Sequence, residues 1–299
     1  MQARAGMAGR MAEVGTRVIR TAMPDQHRSF FMQLPFILAG HQDSDGNVWA
    51  SLLSGTPGFV ASPDPKTLAI SACPLPRDPL AASLVAGLPM GILGVELPTR
   101  RRNRANGYVL TTGPENFTVS VEESFGNCPK YIARRDYMAP RSAAITCEPL
   151  TGLDEAARRF ISSATTFFVA SSAGPCTLPD VSHRGGPPGF IGLSPDGTLT
   201  IPDYAGNLFF NTLGNILLYP RAGILFPDFI SGDMLQLSGS AWVVENETAP
   251  LPPGAERIWQ FRMTQGQWLR EILPLCFTAG EDSPFWPVIS KEALDVTSQ

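Results

Sequence analysis

The sequence lacks the paired cysteines that mark disulfide frameworks and zinc sites. Its five cysteines are scattered over 299 residues, and no two of them form a C-x-x-C pair. An odd, dispersed set of thiols is typical of proteins that fold in a reducing compartment. We therefore expect a cytoplasmic protein that holds no metal.

Long apolar runs and a basic field are also missing. The longest apolar-looking stretch, residues 30–40, is interrupted by Gln33 and Pro35 and is far shorter than a membrane-spanning helix. A net charge of −4 gives no overall positive potential that would gather a phosphate backbone. These absences predict a soluble protein that neither spans a membrane nor binds nucleic acid.

Several motifs that would name a chemistry directly do not occur. The chain has no phosphate-binding P-loop, no G-x-G-x-x-G and no G-x-S-x-G. Asp180 and His183 lack a third ligand at a convincing spacing, which argues against a metal centre there. Nucleotide hydrolysis and serine-hydrolase chemistry are therefore not indicated.

The composition favours many short strands. Hydrophobic residues make up 43% of the chain, charged residues only 17%, and there are 28 glycines and 28 prolines. Glycine and proline at this frequency indicate turns rather than long helices, and the length suits two domains. We predict a mainly β protein.

One short sequence motif occurs twice. GTPGF at residues 55–59 returns as GPPGF at 186–190, and the likeness continues: GFVASPDPKTLAI (58–70) matches GFIGLSPDGTLTI (189–201). Further on, GILGVEL (91–97) matches GILFPDF (223–229) at nearly the same offset. A sustained offset indicates an internal duplication rather than a chance pentapeptide.

Each copy predicts a small barrel with one connecting helix. Asp-Gly turns at residues 43–46 and 194–197 separate β-prone runs, while helices are expected around 79–85 and 207–217. Met7, Met11 and Val14 recur at helical spacing, so residues 1–24 should form an amphipathic N-terminal helix. We place the first barrel at residues 25–147 and the second at 148–299.

Three longer strings resemble a known family. QLPFILAGHQDSDGNVWASLLSGTPGFV, ESFGNCPKYI and the segment from PDVSHRGGPPGFI to IPDYAGNLFFNTLGNILLYPRAGILF are similar to the pyridoxamine 5'-phosphate oxidase-related FMN-binding proteins. The resemblance implies a split β-barrel that pairs with another and holds FMN where the two barrels meet. A tandem copy would let one chain form that pair as a pseudo-dimer, and the architecture also permits a homodimer of chains.

The resemblance also implies where the cofactor binds. It assigns the flavin phosphate to a serine and an arginine on one strand and to the start of the following helix, which here are Ser182, Arg184, Asp203, Asn207 and Asn211. Arginine, hydroxyl donors and a helix start are the groups that bind a phosphate dianion well. His183 and Gln236 complete the expected cofactor-binding set, and flavin or substrate contacts are expected from Arg100, Arg102, Asn127 and Lys130.

The sequence departs from the family pattern in both copies. After Asn207 the chain has Leu208-Phe209-Phe210 where relatives often carry arginines. In the first copy the matching positions are Ser51, Leu53 and Asp78, which offer no cation and one repelling carboxylate. We expect the first-copy phosphate site to be lost.

The same residues also allow simpler structural interpretations. The arginines of residues 100–104 could form a solvated strand edge that discourages edge-to-edge pairing. Ser182 and Arg184 could form a polar turn, and Cys128 could be a buried structural thiol. The resemblance implies an FMN-dependent oxidoreductase acting on a small molecule; the alternative is a split-barrel carrier of flavin or haem without turnover.

Overall fold

The computed structural model describes residues 1–138, 146–244 and 251–288. Two antiparallel sheets dominate these residues. The strands of the first sheet are β1 (Phe36–Gln42), β2 (Val48–Ser54), β3 (Val60–Ala61), β4 (Thr67–Ile70), β5 (Pro89–Glu96), β6 (Arg101–Thr112) and β7 (Phe117–Asn127).

The second sheet repeats this set and adds one strand. Its members are β8 (Thr146–Leu150), β9 (Thr166–Ser171), β10 (Asp180–Gly185), β11 (Gly192–Leu193), β12 (Leu199–Tyr204), β13 (Arg221–Pro227), β14 (Met234–Val243) and β15 (Ala255–Arg270). The expected boundary between residues 147 and 148 falls within β8, which pairs with β15.

The two sheets have the same topology. The spatial order is β2-β1-β5-β6-β7-β4-β3 in the first and β10-β9-β13-β14-β15-β12-β11 in the second, so every strand of the first sheet has a counterpart and only β8 is additional among the described strands. The predicted fold class is confirmed: the protein is mainly β and consists of two tandem split barrels. The duplication in the sequence is thus a duplication of the whole strand arrangement.

Short helices connect the strands. They are α1 (Ala8–Val18), α2 (Asp25–Met32), α3 (Pro79–Ser83), α4 (Glu155–Ser163) and α5 (Asn211–Leu218). Aspartates begin two of them: the Asp78 carboxylate accepts from Leu80 N (2.8 Å), and the Asp154 carboxylate accepts from Ala157 N (2.7 Å). None of the described helices is long and apolar enough to cross a membrane.

The expected helix at residues 207–217 begins four residues later than predicted. Phe210, the residue before α5, has a φ of 56° and Leu208 has a φ of 62°. Right-handed helix requires negative φ, so the chain turns through this loop and becomes helical only at Asn211. The N-terminal helix is likewise shorter than residues 1–24, and its only fully buried side chain is Met11.

Three apolar clusters hold the molecule together. One fills the first barrel and includes Leu68 and Ile92, and a second fills the other barrel and includes Ile224 and Trp259. The third cluster joins side chains of both sheets, among them Leu52, Val181 and Leu225. Because this shared cluster is as buried as the barrel interiors, the two barrels pack against each other as the predicted pseudo-dimer.

Equivalent glycines let the two sheets approach closely. A Cβ on Gly91 of β5 would lie 2.3 Å from the carbonyl oxygen of Pro179, and one on Gly223 of β13 would lie 2.5 Å from that of Val48. Both distances are shorter than any tolerable contact with backbone. The two glycines begin the matched GIL motifs, so the repeated motif encodes the interface as well as the barrel.

Candidate functional site

A cleft opens where the two barrels meet. It encloses about 880 Å³, part of it open to solvent. The first barrel contributes β6, the end of β7 and the loop that follows it, while the second contributes β10, β12, the loop after β12 and the start of α5. Its walls combine apolar and polar side chains, as the walls of small-molecule sites do.

Arg104 crosses the interface and anchors the floor of the cleft. It is 6% exposed; its Nε lies 2.8 Å from the carbonyl oxygen of Val181 and 3.0 Å from Oδ1 of Asp180, and Nη2 donates to Ser182 Oγ (2.5 Å). The ion pair with Asp180 satisfies a charge that would be costly if left alone in the interior. Arg104 therefore fixes the position of β10 relative to β6.

Arg102 lies two residues before Arg104 on the same face of β6. Its Nε donates to the carbonyl oxygen of Cys128 (2.7 Å), and a longer contact joins Nη1 to the carbonyl oxygen of His183 (3.4 Å). It forms no ion pair with a carboxylate within the described ranges. Burial and the neighbouring Arg104 lower the pKa of Arg102 from its ordinary value, which marks a region of positive potential.

Ser182 stands where β10 faces the start of α5. Thr212 Oγ1 donates to its hydroxyl (3.0 Å), and Asn211 Nδ2 donates to Asp180 Oδ1 (3.1 Å), so the first turn of the helix is tied to the strand. No side chain caps this helix, because Phe210 occupies the N-cap position. The amides at the start of α5 thus lie beside the Ser182 hydroxyl without a capping acceptor.

The guanidinium of Arg184 forms a second ion pair. Nη1 lies 2.7 Å from Asp203 Oδ1, while Asp203 Oδ2 also lies 3.6 Å from Arg257. The Nε of Arg184 is buried and has no hydrogen-bond partner among the described residues. Asp203 therefore holds the arginine in place but leaves donor capacity unused.

His183 is a buried imidazole without partners. It is 4% exposed, lines the cleft, and neither ring nitrogen has a hydrogen-bond partner in the described part of the chain. Burial, together with Arg102 and Arg184, lowers the pKa of His183 well below its ordinary value. The ring is therefore neutral at pH 7 and offers both a donor and an acceptor to a ligand.

Aromatic side chains form one wall of the cleft. Tyr131 and Tyr204 stack with ring centroids 5.2 Å apart, and the Tyr131 hydroxyl donates to the carbonyl oxygen of Ala205 (2.9 Å). Lys130 lies over the ring of Phe285, 5.6 Å from its centroid. This wall offers flat apolar surface next to the positive floor.

The equivalent place in the other barrel is closed. Gln236 of β14 is fully buried, and its Nε2 lies 3.0 Å from the carbonyl oxygen of Ala50 and 3.2 Å from Asp78 Oδ2. The Ser51 hydroxyl donates to Asp78 Oδ1 (2.5 Å) and lies 3.3 Å from Nε2 of His41. This side-chain network thus fills the place in the first barrel that corresponds to the open cleft beside β10 of the second barrel.

Most of the predicted site residues come together in the one cleft. All lie on its lining except Gln236 and Arg100: Ser182, His183, Arg184, Asp203, Asn207, Asn211, Arg102, Asn127 and Lys130. Asn207 lies in the loop before α5 instead of opening the helix, and its Oδ1 accepts from Phe209 N (3.2 Å).

Two predicted residues lie elsewhere. Gln236 is the counterpart of Arg104 in the second sheet and therefore contacts the first barrel, where it belongs to the closed network. Arg100 has a φ of 58° and lies before β6 begins, so it leaves the alternation of the strand. Its Nε donates to the carbonyl oxygen of Ile132 (3.0 Å), away from the cleft.

The sequence predicted a role for Arg104 only as a member of the basic cluster at residues 100–104 and did not name it beside Arg100 and Arg102, although it forms several hydrogen bonds and an ion pair in the cleft. The signal was present: side chains alternate along a strand, so Arg102 and Arg104 share a face while Arg101 lies on the other. Thr212 and the two stacked tyrosines carried no signal of this kind. Their place in the site depends on contacts with distant residues.

Comparison with known proteins found similar solved structures but no match in sequence. No family model and no curated protein matches the chain. The chain has the split-barrel fold. Similar solved structures include a protein of unknown function from Agrobacterium tumefaciens, with 18% identity and a TM-score of 0.31, of which the chain spans 57% while 40% of this chain is covered.

Two further similar structures differ in what they bind. A pyridoxamine 5'-phosphate oxidase-related, FMN-binding protein from Nostoc punctiforme is 12% identical, with 40% of this chain and 82% of that chain covered and a TM-score of 0.28. HutZ, the haem storage protein of Vibrio cholerae, is 15% identical, with 40% and 95% covered and a TM-score of 0.28. The expected resemblance is thus found again, as a likeness of fold; at these values it carries no inference about ligand or reaction.

Proposed function

We propose that the chain binds one FMN in the cleft between its barrels and acts as a flavin-dependent oxidoreductase on a small molecule. The observation that carries this proposal is the convergence of Arg102, Arg104 and Arg184 with the Ser182 hydroxyl and the uncapped start of α5. Groups of this kind, gathered from both barrels around one cavity, suit a ligand with a phosphate and a large planar ring.

The charges of the cleft favour an anionic ligand. Four cationic side chains lie on its lining (Arg102, Arg104, Lys130 and Arg184), against the carboxylates of Asp203 and Glu256. Asp203 is already paired with Arg184 and Arg257, and Arg104 with Asp180, which leaves Arg102 and Lys130 as cations without an ion pair among the described residues. A dianionic phosphate would therefore find a net positive environment.

The phosphate end is best accommodated between β10 and α5. The unpartnered Nε of Arg184, the Ser182 hydroxyl and the first amides of α5 are the donor types that hold phosphate in proteins. Thr212 and Asn211 fix the helix start against the strand, so these donors are already oriented before a ligand arrives.

The flavin ring would lie beside the polar groups that have no hydrogen-bond partner and beside the two stacked tyrosines. Asn127 Nδ2 is buried without a hydrogen-bond partner in the described residues, and His183 offers two free ring nitrogens. Bound FMN would supply hydride transfer, which no side chain of the chain can perform. The residues themselves would bind and orient the flavin and exclude water from it.

The closed counterpart supports a stoichiometry of one. Asp78 and Gln236 occupy the corresponding place in the first barrel and are almost completely buried. Within the described network of Asp78, Gln236, Ser51 and His41, a phosphate would meet a carboxylate and no arginine or lysine. One flavin per chain is therefore expected.

A second candidate is a carrier of haem or flavin without turnover. The observation that favours haem is the neutral imidazole of His183, because an unprotonated ring nitrogen without a partner is what a haem iron needs from a protein. The two candidates differ in what the purified protein carries.

Purification of the full chain with identification of the released cofactor tests both. Flavin absorption bands, with one FMN released per chain, would support the first proposal; a Soret band would support the second. A colourless protein that does not quench the fluorescence of added FMN would overturn the flavin proposal. Two FMN per chain would contradict the closed counterpart.

A further inference from the structure

A second groove lies on the other side of β6 from the cleft. It encloses about 760 Å³, much of it open to solvent, and is bounded by the start of α2, the first residues of β6 and the end of β7. Arg102 and Asn127 line both this groove and the main cleft. The two cavities are therefore neighbours that share a wall.

Among the residues that the structure describes, the lining of the groove contains cations and neutral polar groups but no carboxylate. Arg101 lies near one acid, Glu96, at 3.9 Å, but the guanidinium side chain is 45% exposed in that pair. Exposed pairs of this length contribute little, so the contact does not neutralise the groove. Glu96 also accepts from the Thr99 hydroxyl, so one carboxylate lies beside the groove although none of the described residues that line it is acidic.

Buried polar groups in the groove lack partners. Asn103 is 8% exposed, and its side chain makes no hydrogen bond within the described ranges. His27 is 7% exposed; its Nδ1 lies 2.8 Å from Ser124 Oγ, while its Nε2 has no partner among the described residues. These polar atoms are not sealed in the interior, so they are available to a ligand that enters the groove.

The titration behaviour of His27 agrees with a positive groove. Its pKa is lowered from the ordinary value by burial and by the nearby guanidinium groups of Arg20 and Arg101. The two positive charges that disfavour protonation of His27 also favour binding of an anion. The same region also lowers the pKa of Arg102.

We propose that this groove is a subsite for the carboxylate or phosphate group of the substrate, next to the cleft in which the substrate reacts. Arg101 and His27 would hold the anionic group, and Arg102, at the shared wall, would orient the molecule toward the cleft. The assignment of this group to a substrate rests on the proposed function. Binding of an anion in the groove can be tested independently of that function.

The test follows His27 by NMR in the full-length protein. The chain has three histidines, and a His27→Asn variant assigns the resonances of His27. Inorganic phosphate and acetate are titrated separately into protein saturated with FMN, and into cofactor-free protein if no FMN binds. An anion held beside the imidazole raises the pKa of His27.

Arg101→Gln is the diagnostic variant, because Arg101 lines the groove and not the main cleft. Losing one charge-assisted hydrogen bond should weaken binding of the probe about tenfold. The matched control is Arg159→Gln, which removes an exposed arginine of α4 that pairs with the exposed Glu155 (3.0 Å). This control should keep the wild-type response.

The outcomes separate the two proposals. A rise in the pKa of His27 with either probe, weakened by Arg101→Gln and kept by Arg159→Gln, supports the subsite. No response, or the same response in Arg101→Gln, overturns it even if the protein binds FMN. A response in a protein that binds no FMN keeps the anion subsite and overturns the proposed flavin function.

Discussion

Arg104 and Gln236 occupy equivalent positions in the two barrels. Each donates hydrogen bonds across the interface to the strand that carries the equivalent serine of the other barrel. Arg104 reaches Ser182 and the carbonyl oxygen before it, and Gln236 reaches Ser51 and the carbonyl oxygen before it. The geometry of the pair is thus conserved within one molecule while its charge is not. The charged member lies at the open cleft, and the neutral member lies in the closed network.

The buried pair of Arg104 and Asp180 should be costly to break from one side. Arg104→Gln leaves the Asp180 carboxylate buried without its cation, so we expect a loss of about 3–5 kcal/mol in the free energy of unfolding. The double variant Arg104→Gln with Asp180→Asn should recover much of this loss, because no charge remains buried. Urea unfolding of the single and double variants measures the difference. Equal losses in Arg104→Gln and the double variant would contradict the ion-pair account.

Arg184→Gln should weaken binding of FMN. Removing one charge-assisted contact with a phosphate costs about 1.5–3 kcal/mol, which corresponds to roughly a ten- to hundredfold increase in Kd. Quenching of flavin fluorescence gives the Kd, and Arg159→Gln serves as the surface control. Wild-type affinity in Arg184→Gln would remove this residue from the phosphate site.

Asp78 should make the protein less stable as the pH rises. Burial raises its pKa from 3.8 to about 6 in the folded state, so its contribution is fully present below pH 3.8 and is lost as the pH rises through 6. The shift of about two units corresponds to about 3 kcal/mol. Asp78→Asn should remove this loss, as measured by urea unfolding between pH 4 and 7, roughly the range of the titration.

Another group in the same network titrates in the opposite sense. Burial lowers the pKa of His41 from 6.5 to about 4, so its contribution is lost as the pH falls from 6.5 through 4. The wild-type profile therefore contains both effects, and the difference between Asp78→Asn and wild type isolates the carboxylate. Asp45→Asn, at an exposed turn position, is the control. An unchanged difference across this pH range would refute the assignment to Asp78.

Gly91 and Gly15 should respond oppositely to alanine. Gly91→Ala places a methyl group 2.3 Å from the carbonyl oxygen of Pro179, so the barrels must separate, and we expect a loss of at least about 1–3 kcal/mol. Gly15→Ala lies in helix α1 with nothing within 4 Å and should stabilise the protein by up to about 1 kcal/mol. Thermal unfolding compares the two; equal effects would refute close packing at Gly91.

Much of the architecture could be read from local patterns. The repeated Gly-X-Pro-Gly-Phe phrase and the GIL motifs indicated two copies of one β unit, and Asp-Gly turns marked hairpins where Gly46 and Gly197 have φ values of 74° and 84°. The start of α5 could not be read in this way. Leu208 and Phe210 adopt positive φ because tertiary contacts impose it, against their own preference.

The sequence by itself determined the duplication, the mainly β fold and the unequal charge of the two copies, because these depend on composition, periodicity and matched spacing. Only the tertiary structure decided that Arg104 joins Ser182 while Gln236 seals the other barrel, and that the arginines of β6 divide between two cavities. Those relationships join residues far apart in the chain. They arise from the crossing of two sheets, which no local pattern encodes.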